Sequence, residues 1–146
     1  MAPSFKILVA EDDRNLGTVY HSILEGAGYQ TRVSANGMEA LTMVRQFLPD
    51  LVITDAILPG MDGFELAEAI RGDPATGALP IVFISGVAEP EDRARASRFG
   101  VTQYLSKPIQ AVELLSAVRG ALEAAGADTA GGPGGSRSIA AHPRTP

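Results

Sequence analysis

Leu51-Val52-Ile53-Thr54-Asp55 decides the fold: three apolar residues and a threonine run without a polar break and stop at a carboxylate. A short, β-branched run of this kind is the pattern of a strand buried on both faces, as in parallel sheets. In open α/β sheets the ligand crevice lies outside the carboxyl ends of the strands. Asp55 stands where such a strand ends, so its side chain is expected in that crevice.

On the N-terminal side, Phe5-Lys6-Ile7-Leu8-Val9-Ala10 is a second strand candidate that also ends at carboxylates, Glu11, Asp12 and Asp13. Leu16, Val19, Tyr20, Ile23, Leu24 and Ala27 follow at helical spacing, with Asp13 placed to cap the helix and Gly26 and Gly28 to end it. Gly17 falls inside that helix, where a good helix former would cost ~1 kcal/mol less. Tyr29 to Ser34 reads as a strand. Asn36 with Glu39 three residues on has a capping-box layout. The helix it opens is expected to bury Met38, Leu41, Val44 and Phe47 or Leu48, and Pro49 closes it.

On the C-terminal side, Leu58-Pro59-Gly60 is a turn signature, and Asp62 with Glu65 opens a third helix bearing Phe64, Leu66, Ala67 and Ile70. Ile81-Val82-Phe83-Ile84 is another fully buried strand and ends at Ser85-Gly86. Pro90 suits the first turn of a fourth helix, which runs to about Phe99 and carries Arg93, Arg95 and Arg98. Those arginines form either a partner-binding face or a solvated surface. A last strand, Val101 to Leu105, leads to Ser106-Lys107-Pro108. Ile109, Val112, Leu115, Val118 and Leu122 mark a closing amphipathic helix. Five strand–helix units specify an α/β fold, a parallel sheet with right-handed crossovers and helices on both faces. The domain spans 4–124, and the Gly/Pro-rich remainder, 125–146, reads as a flexible tail.

Bulk properties narrow the function. The 146 residues suffice for one domain with a real core. No apolar run approaches the about 20 residues of a membrane span, and the N-terminus lacks a signal-peptide layout. There is no cysteine, which removes disulfides and thiolate metal sites and suits a cytoplasmic protein. The net charge of −5 argues against nucleic acid as the main partner.

The strand ends bring chemistry together. Glu11 and Asp12, then Asp55, Ser85 and Lys107, arrive at one sheet edge. Carboxylates without Cys or His suit a hard cation such as Mg²⁺. A carboxylate is also a nucleophile toward phosphorus. Phosphoryl transfer then needs little beyond positioning and positive charge, which Mg²⁺ and the Lys107 ammonium supply. His21 and His142 have no place in this arrangement, and Asp13 and Asp62 read as helix caps.

The chain resembles the receiver domains of two-component response regulators, as in the chemotaxis response regulator. The residues that carry the likeness are Ile7-Leu8-Val9-Ala10-Glu11-Asp12-Asp13, Thr54-Asp55-Ala56-Ile57-Leu58-Pro59-Gly60-Met61-Asp62-Gly63, Ile84-Ser85-Gly86 and Tyr104-Leu105-Ser106-Lys107-Pro108. Their intervals fit too, 43 residues from Asp12 to Asp55, 30 to Ser85 and 22 to Lys107.

The resemblance implies a flavodoxin-like (βα)5 fold with strand order 2-1-3-4-5. It makes Asp55 the phosphoacceptor and Mg²⁺ the cofactor, held by Asp12, Asp55 and the Ile57 carbonyl, with Glu11 acting through water. It implies that Lys107 contacts the phosphoryl group and that Lys107–Pro108 is cis. Ser85 is the switch hydroxyl and Tyr104 the switch aromatic. Gly86 leaves the site open to a phosphodonor, while the apolar Ile57 and Val87 beside it hinder attacking water and lengthen the phosphorylated lifetime.

On the same basis the chain is a stand-alone phosphoacceptor and not an enzyme. Its donor is a histidine kinase or a histidine phosphotransfer protein. Its output passes to a protein target through the fourth helix, last strand and last helix, or onward as relayed phosphate. It is a monomer or weak dimer with no membrane or nucleic-acid partner. Two other classes remain: a receiver-like scaffold working without phosphorylation, and a dehalogenase-like phosphohydrolase. The second wants an acid two residues after the nucleophile, where this chain has Ile57.

Overall fold

The structure, a computed structural model, describes residues 4–86, 90–101 and 103–128. Val87, His142 and the segment 129–146 lie outside the described residues. Five strands and five helices alternate: β1 Lys6–Ala10, α1 Arg14–Gly26, β2 Gln30–Ser34, α2 Gly37–Phe47, β3 Leu51–Asp55, α3 Gly63–Gly72, β4 Ile81–Ser85, α4 Pro90–Arg98, β5 Gln103–Ser106 and α5 Ala111–Asp128. The strands form one parallel sheet in the order β2-β1-β3-β4-β5. Among the described residues, no helix is long and apolar enough to cross a membrane.

Side-chain alternation along the strands sorts the core into two layers. Ile7, Val9, Ile53, Val82 and Ile84 pack under α1 and α5 with Tyr20, Leu24, Leu114 and Val118. Leu8, Val52 and Phe83 pack under α2, α3 and α4 with Ala40, Val44, Phe64, Leu66, Ile70 and Ala96. Every residue of β3 and β4 is buried, as expected of central strands covered on both sides.

Local signals place most helix starts. The Asp13 carboxylate caps α1 by accepting the Asn15 and Leu16 amides, and Asp62 with Glu65 closes a full capping box on α3. At α2, Asn36 accepts the Glu39 amide, but the Glu39 carboxylate does not return to Asn36. It lies 2.9 Å from Ser34 Oγ and accepts the Ala35 amide at 3.3 Å, because the end of β2 offers it a nearer partner. Gly17, the apparent weak spot of α1, is buried, and a Cβ there would stand 3.1 Å from Val33 Cγ1. The small residue lets α1 close on β2.

Val44, Phe47 and Val118 are buried as expected, and Leu41, Ile109, Leu115 and Leu122 pack against the core, but Met38, Val19 and Val112 are exposed. α2 also buries Gly37 and Ala40, and α5 also buries Leu114, Ala117 and Ala121. Phe47 is the buried member of its pair, and Leu48 takes the left-handed cap position with φ 55°. The last strand begins at Gln103 rather than Val101. α5 runs on to Asp128, past the expected boundary at 124, since a single glycine, Gly126, costs an alanine-rich helix end only ~1 kcal/mol.

α4 is the least anchored helix. α3 buries Phe64, Leu66, Ala67 and Ile70, and each large side chain contributes about 1.5–3 kcal/mol, whereas α4 buries only Ala96. Arginine–aromatic stacking substitutes for apolar packing. The Arg95 guanidinium lies 4.2 Å from the Phe64 ring centroid and that of Arg93 lies 4.8 Å from the Tyr104 centroid, contacts of roughly 0.5–1 kcal/mol each at exposed sites. These two arginines fasten α4 to α3 and β5. The far end of α4 is held by Arg71 of α3, which donates to the carbonyls of Phe99, Gly77, Leu79 and Gly100.

Candidate functional site

The site forms at the carboxyl edge of the sheet because β1, β3 and β4 stop there in register. Ala10 lies beside Thr54, and Asp55 beside Ile84. Glu11 and Asp55 are buried and Asp12 is exposed. One oxygen from each of the three carboxylates lies within 4.8 Å of the others. Lys107 reaches across from the β5 side, with Nζ donating to Asp55 Oδ2 at 2.5 Å and lying 2.8 Å from Glu11 Oε1. Its backbone amide donates to Ser85 O at 2.8 Å, and its bond to Pro108 is cis.

These contacts set the protonation states. Burial pushes the Glu11 carboxyl above its ordinary value, against the pull of the Lys107 hydrogen bond and the Asp13 amide. Burial alone would lower the Lys107 ammonium, but hydrogen bonds to Asp55 and Glu11 and their charges override it and hold it above its ordinary value. With all three acids ionised, one ammonium leaves two negative charges uncompensated, which matches a divalent cation. An all-oxygen donor set with one solvent-facing member fits a hard ion such as Mg²⁺, which keeps several waters.

Asp55 is aimed from both sides. Its Oδ2 accepts from Lys107, and its Oδ1 accepts the Ile57 amide at 3.1 Å. Thus Ile57, expected to matter through its carbonyl and apolar side chain, also holds the Asp55 carboxylate through its N–H. Ile57 is 65% exposed and so is not part of the core. A Cβ on Gly86 would meet no heavy atom within 4 Å, so the space there is open.

Ser85 is buried, and its hydroxyl is a hydrogen-bond partner of the Tyr104 hydroxyl. Burial raises the Tyr104 phenol, and the Ser85 contact works against that. The Tyr104 ring packs 5.8 Å from Phe83, and Arg93 covers its outer face, donating to Tyr104 O at 3.3 Å. The Arg93 contact was not legible from the sequence, where the arginine spacing matched a solvated face equally well. Asp13 and Asp62 are caps, and His21 lies on exposed α1 with Nε2 3.6 Å from Glu25. The structure thus joins Glu11, Asp12, Asp55 and Lys107 directly, and links Ser85 to Tyr104 beside them.

A buried strand-end aspartate, a second acid pair and a lysine thus meet at the carboxyl edge of a parallel α/β sheet of order 2-1-3-4-5. The chain belongs to the response regulator receiver domain family of two-component signalling, which matches residues 7–119. It is 36% identical over 117 residues to the DNA-binding response regulator MtrA of Mycobacterium tuberculosis, a match covering 80% of this chain and 50% of that protein. The chain therefore spans about half the length of such curated relatives. A 14.6 kDa protein of Leptolyngbya boryana is 37% identical over 113 residues, covering 77% of this chain and 86% of the relative. Among solved structures, the receiver domain of the sensor histidine kinase PA1611 from Pseudomonas aeruginosa has a magnesium ion coordinated in its active site cleft. It is 26% identical, with TM-score 0.76, over 83% of this chain and 99% of that one.

Proposed function

We propose that Asp55 accepts a phosphoryl group from the phosphohistidine of a sensor kinase or phosphotransfer protein. The observation that carries this reading is Asp55 itself, buried, with one oxygen on the Ile57 amide and the other on Lys107. A carboxylate oxygen attacks phosphorus, the P–N bond to the donor histidine breaks, and the histidine nitrogen leaves with its electron pair and takes up a proton. Lys107 balances charge on the phosphoryl oxygens as they spread in the transition state. Asp12, Asp55 and the Ile57 carbonyl, with Glu11 behind, would hold Mg²⁺, which would supply further positive charge to those oxygens. Asp55 phosphate then draws the Ser85 hydroxyl, which releases Tyr104 and biases α4 and its surroundings.

The chain acts as a signalling phosphoacceptor that assists its own modification, in the cytoplasm, and not as a turnover enzyme. Its output is protein contact through α4, β5 and α5, or relay to another histidine. The net charge of −5 supports a protein target over a polyanion, and the DNA binding in MtrA's name belongs to a protein of which this chain matches half. The Leptolyngbya relative, covered over most of its length, supports a stand-alone regulator.

Mass spectrometry after incubation with a small acyl phosphate and Mg²⁺ tests this. Wild type gains one phosphoryl group and Asp55→Asn gains none. No adduct and no phosphate turnover leaves the scaffold, and turnover without an adduct selects the dehalogenase-like hydrolase. The apolar cover is tested separately. Ile57→Asn adds a polar group near the approach of water, and dephosphorylation of the isolated phosphoprotein should quicken on the order of tenfold, below the about 10²–10⁴-fold of a positioned acid or base because the amide transfers no proton. An unchanged half-life would show that Ile57 does not limit water.

A further inference from the structure

The loop 56–62, which follows the acceptor, is gripped through backbone contact by two helices, and only one adjoins it in sequence. At its C-terminal end the Gly63 amide donates to Ala56 O at 3.0 Å, and a Cβ on Gly63 would come within 2.3 Å of Asp55 O. The other grip comes from Gly37, the first residue of α2. A Cβ there would stand 1.9 Å from the Met61 carbonyl oxygen and 2.9 Å from Met61 Cβ. The obstructing atom is backbone, so no change of rotamer relieves the overlap.

The start of α2 is the less yielding side. Asn36 Oδ1 accepts the Glu39 amide at 2.8 Å, and Ser34 Oγ lies 2.9 Å from both Asn36 O and Glu39 Oε1. Ser34 O in turn accepts the Glu11 amide at 2.9 Å. α2 therefore hangs from the end of β2, whose Ser34 carbonyl also holds the Glu11 amide at the end of the neighbouring β1. The loop exposes Ile57, Pro59 and Gly60, and it is the part free to shift.

We infer that Gly37 is a positioning residue for the phosphoacceptor loop. Through the Met61 carbonyl it sets where Ile57 lies, and so aims Asp55 Oδ1 and the Ile57 carbonyl without touching metal or phosphoryl group. This rests on the metal-assisted phosphoacceptor reading above.

The test compares Gly37→Ala with Gly26→Ala, whose Cβ meets nothing within 4 Å. Alanine is a better helix former than glycine, so α2 itself does not weaken. Two-dimensional NMR follows the Ile57 amide without metal and through a Mg²⁺ titration. The expected result is a displaced Ile57 resonance in metal-free Gly37→Ala and a Mg²⁺ Kd raised about tenfold, with Gly26→Ala like wild type. A lowered Tm with the Ile57 resonance and Mg²⁺ Kd unchanged would make Gly37 merely structural and overturn the inference. Should Gly37→Ala not fold, Ser34→Ala decides: freeing the start of α2 weakens Mg²⁺ binding severalfold if the loop leans on it, and leaves binding unchanged if it does not. Wild type that binds no Mg²⁺ sinks the functional reading instead, while the metal-free Ile57 shift still judges Gly37.

Discussion

Lys107→Ala is expected to slow phosphorylation of Asp55 on the order of 10²-fold, the effect of removing one preorganised charge from a developing oxyanion. The same change costs about 2 kcal/mol of stability. That falls below the ~3–5 kcal/mol of a fully buried pair, because the Lys107 side chain is 19% exposed. The loss depends on pH, with a sign fixed by Glu11. Its carboxyl is already above its ordinary value through burial, and removing Lys107 takes away contacts that restrain it, so it rises further. A raised acid makes the folded state bind more protons than the unfolded one, so its stability contribution is present below the unfolded value and lost as pH rises through the folded one. Lys107 itself is raised, so its own contribution in wild type stays constant until strongly alkaline pH. Denaturant unfolding should therefore show Lys107→Ala closer to wild type at about pH 5 than at about pH 8. A variant labelled at the wild-type rate would remove Lys107 from the chemistry.

The second large effect is steric. In Gly63→Ala the new Cβ would stand 2.3 Å from the carbonyl of Asp55 and 3.0 Å from Ala56 Cα. Neither atom can rotate away, so α3 must retreat from the end of β3, at a cost of about 3 kcal/mol, the upper end for overpacking. The Gly63–Ala56 hydrogen bond is strained in the process. Thermal unfolding should show a clearly lowered Tm, and phosphorylation should fall as Asp55 loses its register with Ile84. A variant with wild-type Tm would mean that the α3 start has slack that the structure does not show.

Which of these features the sequence revealed follows from how locally each is determined. β3 and β4 were legible because burial on both faces demands unbroken apolar runs, and their ends were legible because Asp55 and Ser85 interrupt them. Parallel topology then carries both ends to one edge, so the cluster of Glu11, Asp12, Asp55 and Lys107 followed from strand ends, whereas Ile57 and Tyr104 came only from the family resemblance. Around α5, Val118 is buried and Ile109, Leu115 and Leu122 pack against the core as expected, but Val112 is exposed because the helix carries more than one apolar stripe. Docking against Val82 and Ile84 adds Leu114 to the core. Glu39 matched a capping box by spacing, but its partner was chosen by the position of Ser34 in space. Gly37 gave no local signal, since a glycine after an N-cap is unremarkable until Met61 arrives from across the fold. The arginines of α4 were ambiguous for a related reason: Phe64 and Tyr104, which they cover, lie on other elements.

The Arg71 contacts have a consequence for how the molecule comes apart in acid. The guanidinium stays charged throughout the useful pH range, and the carbonyls of Phe99, Gly77, Leu79 and Gly100, to which it donates, do not titrate. Acid that protonates Glu11, whose carboxyl burial already raises, weakens its contact with Lys107 at the carboxyl edge, but it leaves these carbonyl contacts in place. Acidification thus loosens the carboxyl edge of the sheet while these contacts at the rear of α4 persist.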